Sequence, residues 1–152
     1  MKASDTPLPP SALPVAAVLA VVVHEDRVLL VRRANPPDAG MWGFPGGKID
    51  HGEAVEAAAI RELFEETAIR AQALGAFTAL DAFDWSENGE LRHHFVLIAV
   101  LCRWLSGTPQ AGDDATEAAW WPISDLGSLD RVSLNVDKVA LQARRLAAAS
   151  TV

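Results

Sequence analysis

The sequence predicts an α/β fold, a mixed β-sheet with helices on both faces. Two observations carry this expectation. Apolar runs bounded by turn-forming residues stand before, between and after two stretches with helical periodicity. Strands and helices arranged in that order cover both faces of one sheet. At 152 residues, half of them apolar, the chain has room for one domain with a real core.

The elements follow in chain order. Residues 1–14, with Pro7, Pro9, Pro10 and Pro14 and no periodic pattern, read as a disordered or extended tail ahead of a domain over residues 15–152. Asp5 and the prolines interrupt any signal-peptide core. Val15 to His24 reads as a buried strand, and its apolar run is too short to span a bilayer. Glu25-Asp26 forms a turn, and Arg27 to Arg33 returns as the second arm of a hairpin. Asn35 to Gly40 is dense in turn formers, and Trp42 to Phe44 is a short strand running into Pro45-Gly46-Gly47.

A helix is expected from Glu53 to Thr67, with Val55, Ala59 and Leu63 at i, i+4 and i+8 and Ile60 and Phe64 beside them. Arg70 to Trp85 and Glu90 to Leu105 read as two long strands joined by Ser86-Glu87-Asn88-Gly89, whose Asn-Gly step signals a hairpin. A polar loop from Ser106 to Asp114 leads to a strand at Ala118 to Pro122. Ser133 to Ala149 closes the chain as a helix, with Ser133 or Asn135 as its cap.

The chemistry concentrates in the first helix. Glu62 and Glu66 stand one turn apart, and Glu65 lies three residues beyond Glu62. Three carboxylates on one helix face repel one another, and a hard divalent cation is the counter-charge that suits their oxygens. The plain alternative is a solvated acidic face. The preceding Pro45-Gly46-Gly47 turn and the arginine among the acids, Arg61, count against it.

The segment resembles the Nudix box, G-x5-E-x7-R-E-U-x-E-E-x-G-U, where U is a bulky apolar residue. Gly47, Glu53, Arg61, Glu62, Leu63, Glu65, Glu66 and Ile69 match it, and Ala68 stands where the pattern has glycine. The resemblance implies a three-layer α/β/α sandwich and a metal-dependent pyrophosphohydrolase that cleaves a nucleoside diphosphate linked to X. It implies Glu62, Glu65 and Glu66, joined by the Gly46 carbonyl, as ligands for Mg2+, with Mn2+ as the alternative. Arg61 and Glu53 take supporting roles as a latch between loop and helix; for Arg61 the alternative is an ordinary surface pair with Glu65. If Ala68 adopts the glycine's left-handed conformation, it costs about 1–2 kcal/mol. The general base is a box glutamate or one of the later acids Asp113, Asp114 and Glu117.

Arg32 and Arg33 are candidates for bidentate contacts to phosphate or ribose, although strand alternation points them to opposite faces. Of five tryptophans, Trp85 beside the hairpin turn is the candidate for a stacking partner, the others reading as packing. His93 and His94, adjacent in a strand, face opposite sides and do not suit a shared metal site.

The wider sequence is similar to the Nudix branch that cleaves ADP-ribose to AMP and ribose 5-phosphate, which makes ADP-ribose the first expectation. It lacks the proline which that branch carries beyond the box, since none occurs between Pro45 and Pro109. A nucleoside triphosphate, including an oxidised one, is the alternative substrate, and a non-catalytic nucleotide sensor a third reading. The net charge of −7 argues against a nucleic-acid duplex or an anionic membrane as partner. It does not argue against a small anionic nucleotide, because bound cations invert the local field. Cys102, the single cysteine, lies in an apolar run and reads as a buried inert thiol, which fits a reducing cytoplasm. The resemblance allows a homodimer, and composition does not decide the assembly.

Overall fold

The computed structural model describes residues 12–36 and 38–150. Residues 1–11 of the expected tail and Pro37 of the turn-rich stretch lie outside the described residues. Strands β1 (Val15–His24) and β2 (Arg27–Arg33) form the expected hairpin. Glu25 and Asp26 both take positive φ, 51° and 61°, the conformation of a tight two-residue turn between twisted strands. The chain continues through β3 (Trp42–Gly43), β4 (Gly46–Lys48), helix α1 (Val55–Thr67), β5 (Arg70–Trp85), β6 (Leu91–Ser106), β7 (Ala115–Pro122), a 3-10 turn (Ile123–Ser128) and helix α2 (Val136–Ser150).

All seven strands join one sheet, ordered β3-β2-β1-β6-β5, with β4 on β1 and β7 on β2. The β1–β6 pair is parallel and the other named strand pairs are antiparallel, so the sheet is mixed. The two arms of the first hairpin pair only next to their turn, at Val23–Val28 and His24–Arg27. Farther along they diverge: β1 takes β4 at Ala17 to Leu19, while β2 takes β7 and β3.

Strand alternation in β1 divides the interior into two cores. Val18, Ala20 and Val22 pack with Ala58, Ala59 and Leu63 of α1. Leu19, Val21 and Val23 belong with Val136, Val139, Ala140 and Ala143 of α2. One helix therefore covers each face, and the architecture is the α/β/α sandwich. Cys102 is buried in the α1 core, where burial pushes its thiol up to about 12. No helix among the described residues is long and apolar enough to cross a membrane.

Several boundaries differ from expectation, each for a local reason. Helix α1 starts at Val55 rather than Glu53, because Glu53 closes a turn instead: its amide donates to the Asp50 carbonyl, and its carboxylate accepts from the Asp50 amide. Strand β4 and the 3-10 turn are too short to show a periodicity. Helix α2 starts at Val136, after Asn135 at φ 71°; the Asn135 carbonyl accepts the Val139 amide, the bond expected of a residue just before a helix. Ser133 donates its hydroxyl to Asp38 instead of capping with it.

Candidate active site

A cleft of about 920 Å³ opens where the first hairpin diverges. Glu62, Glu65 and Glu66 line one part of it with Gly46, Gly47, Asp113 and Asp114. The distal half of the β5–β6 hairpin and the start of α2 line the rest.

Glu66 is the most enclosed of the carboxylates, with the residue 6% exposed. Its Oε2 accepts the Gly46 amide at 2.8 Å. Burial raises its pKa to about 8, with the Glu62 and Asp114 charges pushing the same way and Arg33 opposing. Glu62 is also raised, chiefly by burial, while its bond to Arg61 pulls it down.

Glycines make this geometry possible. A Cβ on Gly47 would lie 2.5 Å from the Glu62 carboxylate, and one on Gly46 would lie 2.0 Å from the Val18 carbonyl. Gly112, which the sequence reading passed over, has the same role in the later loop: a Cβ there would sit 2.5 Å from the Glu65 carbonyl. The Gly112 and Gln110 amides donate to the Glu66 and Thr67 carbonyls at the end of α1. These bonds satisfy helix-end acceptors and draw Asp113 and Asp114 up to the carboxylates. The signal in the sequence was a glycine directly before two aspartates in an otherwise polar loop.

Arg61 ties the glycine loop to the helix. Its guanidinium donates to Glu53 at 2.7 and 2.8 Å, to Glu62 at 2.9 Å and to the Lys48 carbonyl at 3.1 Å, and reaches Glu65 at 3.3 Å. The Arg61 bonds hold Glu53 down at about 2, with the Asp50 amide assisting, and Arg61 itself is raised by the same pair. The surface pair with Glu65 is thus one strand of a larger latch. At the helix end Ala68 takes φ 62° and ψ 12°, the left-handed conformation of the glycine it replaces, and donates to the Phe64 carbonyl.

The other predicted residues separate. Arg33 lines the cleft and lies near enough to act electrostatically on Glu66. Arg32 donates to the Gly40 carbonyl and pairs with Glu117 at 3.3 Å, and neither member of that pair lines the cleft. Trp85 lines the cleft and is 57% exposed. His93 and His94 do turn to different partners, Asp84 and Asp81 respectively.

Among the described residues no three acidic, histidine or cysteine side chains already gather into an ion cage. In this arrangement Arg61 engages Glu62 and Glu65, and the Gly46 amide engages Glu66. The residues nonetheless fit a hard divalent cation. The donors are all oxygens, and two neighbouring carboxyls, Glu62 and Glu66, carry pKa values raised chiefly by burial. Gly47 leaves no Cβ in the way of the Glu62 carboxylate.

The sandwich and its acidic, glycine-walled cleft define a class: hydrolases that act on phosphoanhydride bonds. The NUDIX domain family model matches residues 13–142, and the chain belongs to that family. It is 31% identical over 129 residues to an ADP-ribose pyrophosphatase of Methanocaldococcus jannaschii, covering 83% of this chain and 70% of that protein. It is 32% identical over 130 residues to a putative 8-oxo-dGTP diphosphatase 2 of Mycobacterium tuberculosis, covering 85% and 88%. The crystal structure of a MutT NUDIX hydrolase from Burkholderia pseudomallei superposes with a TM-score of 0.72 at 31% identity, covering 86% of this chain and 98% of that one.

Proposed function

We propose that the chain hydrolyses ADP-ribose to AMP and ribose 5-phosphate, using Mg2+ (or Mn2+) held by Glu62, Glu65, Glu66 and the Gly46 carbonyl. The observation that carries this reading is the continuity of the cleft. One surface joins the carboxylates to a long, largely apolar hairpin wall, so a diphosphate and an attached nucleoside fit side by side. The 31% identity to an ADP-ribose pyrophosphatase supports the same substrate.

A divalent ion bound at such carboxylates neutralises phosphate charge and lowers the pKa of an attacking water. This chain's residues do the rest. With a cation bound, Glu66 and Glu62 would carry their negative charge in a partly dry site, where it acts more strongly than in water. Arg61 and Glu53 fix the glycine loop against α1, so the Gly46 amide keeps Glu66 in place. Arg33 brings a positive charge to the phosphate side of the cleft. The attacking water gives its proton to a box glutamate, or to Asp113 or Asp114; Glu117, tied to Arg32 away from the cleft, is set aside. Trp85 offers a ring at the cleft surface for stacking. The single buried cysteine accords with work in a reducing cytoplasm.

The second reading, a nucleoside triphosphate pyrophosphohydrolase, rests on the relative named for 8-oxo-dGTP. A hydrolysis panel with Mg2+ separates the two. ADP-ribose cleaved to AMP and ribose 5-phosphate supports the first, whereas a preference for 8-oxo-dGTP with pyrophosphate release replaces it with the second.

A further inference from the structure

Away from the carboxylates, the β5–β6 hairpin builds a second polar device into the cleft wall. Asp84 and His93 face each other across the two strands, and both line the cleft. Asp84 is 8% exposed, accepts Arg92 Nη2 at 2.9 Å through Oδ1, and meets His93 Nδ1 at 2.9 Å through Oδ2. Phe95, on the same strand face as His93 and also lining the cleft, stacks on its ring at 5.6 Å and 18°. The His93 side chain is half exposed. A buried carboxylate and an aromatic plane thus hold a half-exposed imidazole in the cleft lining.

The tautomer follows from the partner. Bonds from His93 and Arg92 hold the Asp84 carboxyl below its usual range, so it is ionised and only accepts. Nδ1 must therefore carry the proton, and in the neutral ring Nε2 is left as an acceptor. We infer that His93, fixed by Asp84 and Phe95, is a specificity residue whose Nε2 accepts a hydrogen bond from a donor group on the substrate's nucleoside. Asp84 is its positioning residue. Two groups share that donor chemistry, the exocyclic amino group of a purine such as adenine and a ribose hydroxyl. This inference rests on the nucleotide reading of the cleft but not on ADP-ribose being the substrate.

The test uses binding rather than turnover. The wild type and His93→Ala are titrated calorimetrically with ADP, with its hypoxanthine counterpart IDP, and with 2′-deoxy- and 3′-deoxy-ADP. The inference expects His93→Ala to weaken ADP binding about tenfold, the size of one well-made hydrogen bond. It also expects the wild type, but not the variant, to discriminate against one analogue. Loss of discrimination on IDP identifies the amino group; loss on a deoxy analogue identifies the hydroxyl. In parallel, ring 15N spectra should show Nδ1-protonated His93 in the wild type and a shift toward the Nε2-protonated form in Asp84→Asn, and Asp84→Asn should lose the same analogue discrimination as His93→Ala, a loss that a merely structural pair would not produce. Equal discrimination in wild type and His93→Ala overturns the inference, as does an absence of nucleotide binding. If ADP binding depends on His93 while ADP-ribose goes uncut, the substrate assignment falls and this inference stands. If ADP-ribose is cut and the ratios are unchanged, the reverse holds.

Discussion

The two parts of the cleft solve opposite problems. At the α1 part, like charges are forced together: Glu62 and Glu66 are raised by burial, and Arg61 is the cation that holds the array before any ion binds. At the hairpin part, one buried carboxylate, Asp84, is fully answered by Arg92 and His93 and sits below its usual range. An unanswered carboxylate waits for an external cation, whereas an answered one only aims its neighbour. The first part should therefore govern turnover and the second affinity.

The largest effect should come from Glu66→Gln. It removes a ligand charge without changing shape, and kcat should fall by at least about 10²–10³-fold, the range seen when one electrostatic stabiliser is lost. Circular dichroism should show an unchanged fold; a folded variant with wild-type activity would refute the metal assignment. The same residue gives a pH signature in the metal-free protein. With Glu66 raised to about 8 from 4.5, the folded state keeps a proton that the unfolded state has released. Its contribution to stability is thus complete below pH 4.5 and is lost as pH rises through 8. Thermal melts without metal should show this decline, and saturating Mg2+ should flatten it.

Arg61→Ala should come next. It frees Glu53, Glu62 and the Lys48 carbonyl together, and activity should fall on the order of 10–100-fold, as for other residues that orient metal ligands. Steady-state kinetics at several Mg2+ concentrations would locate the loss in metal affinity. At the hairpin part Trp85→Ala should raise KM about 2–10-fold with kcat nearly unchanged, from lost stacking. A fall in kcat instead would break the division between the two parts. Outside both, Ala68→Gly relieves a left-handed alanine and should stabilise the fold by about 1 kcal/mol, measured by denaturant unfolding, without altering kinetics.

The α1 part was legible in the sequence because its residues are near neighbours on one helix and one loop. Glu53, Arg61, Glu62, Glu65 and Glu66 keep fixed spacing, and helical periodicity converts spacing into proximity. The long strands and the hairpin turn were legible for the same reason, since alternation and an Asn-Gly step are local signals. In the hairpin part only Trp85 was named from the sequence as a candidate contact; the Asp84–His93 pair was not legible, because Asp84 meets His93 only through the cross-strand register, and β-bulges shift that register at several points, including Asp84–Trp85. The approach of Asp113 and Asp114 was equally hidden. It depends on Gly112 lying against the Glu65 carbonyl, a contact between segments far apart in the chain. Arg32 and Glu117 pair with each other across β2 and β7 outside the cleft lining, while Arg33 lines it, an arrangement set by strand pairing between distant segments.

The most direct test of the central claim is a calorimetric Mg2+ titration of wild type and Glu66→Gln near neutral pH, in buffers of different ionisation enthalpy. The wild type should bind the ion and release close to one proton per ion, since burial holds the Glu66 pKa at about 8 until the cation arrives. Glu66→Gln should bind far more weakly and release fewer protons. Equal binding by both proteins, with no proton released by either, would contradict the assignment of Glu66 as a metal ligand.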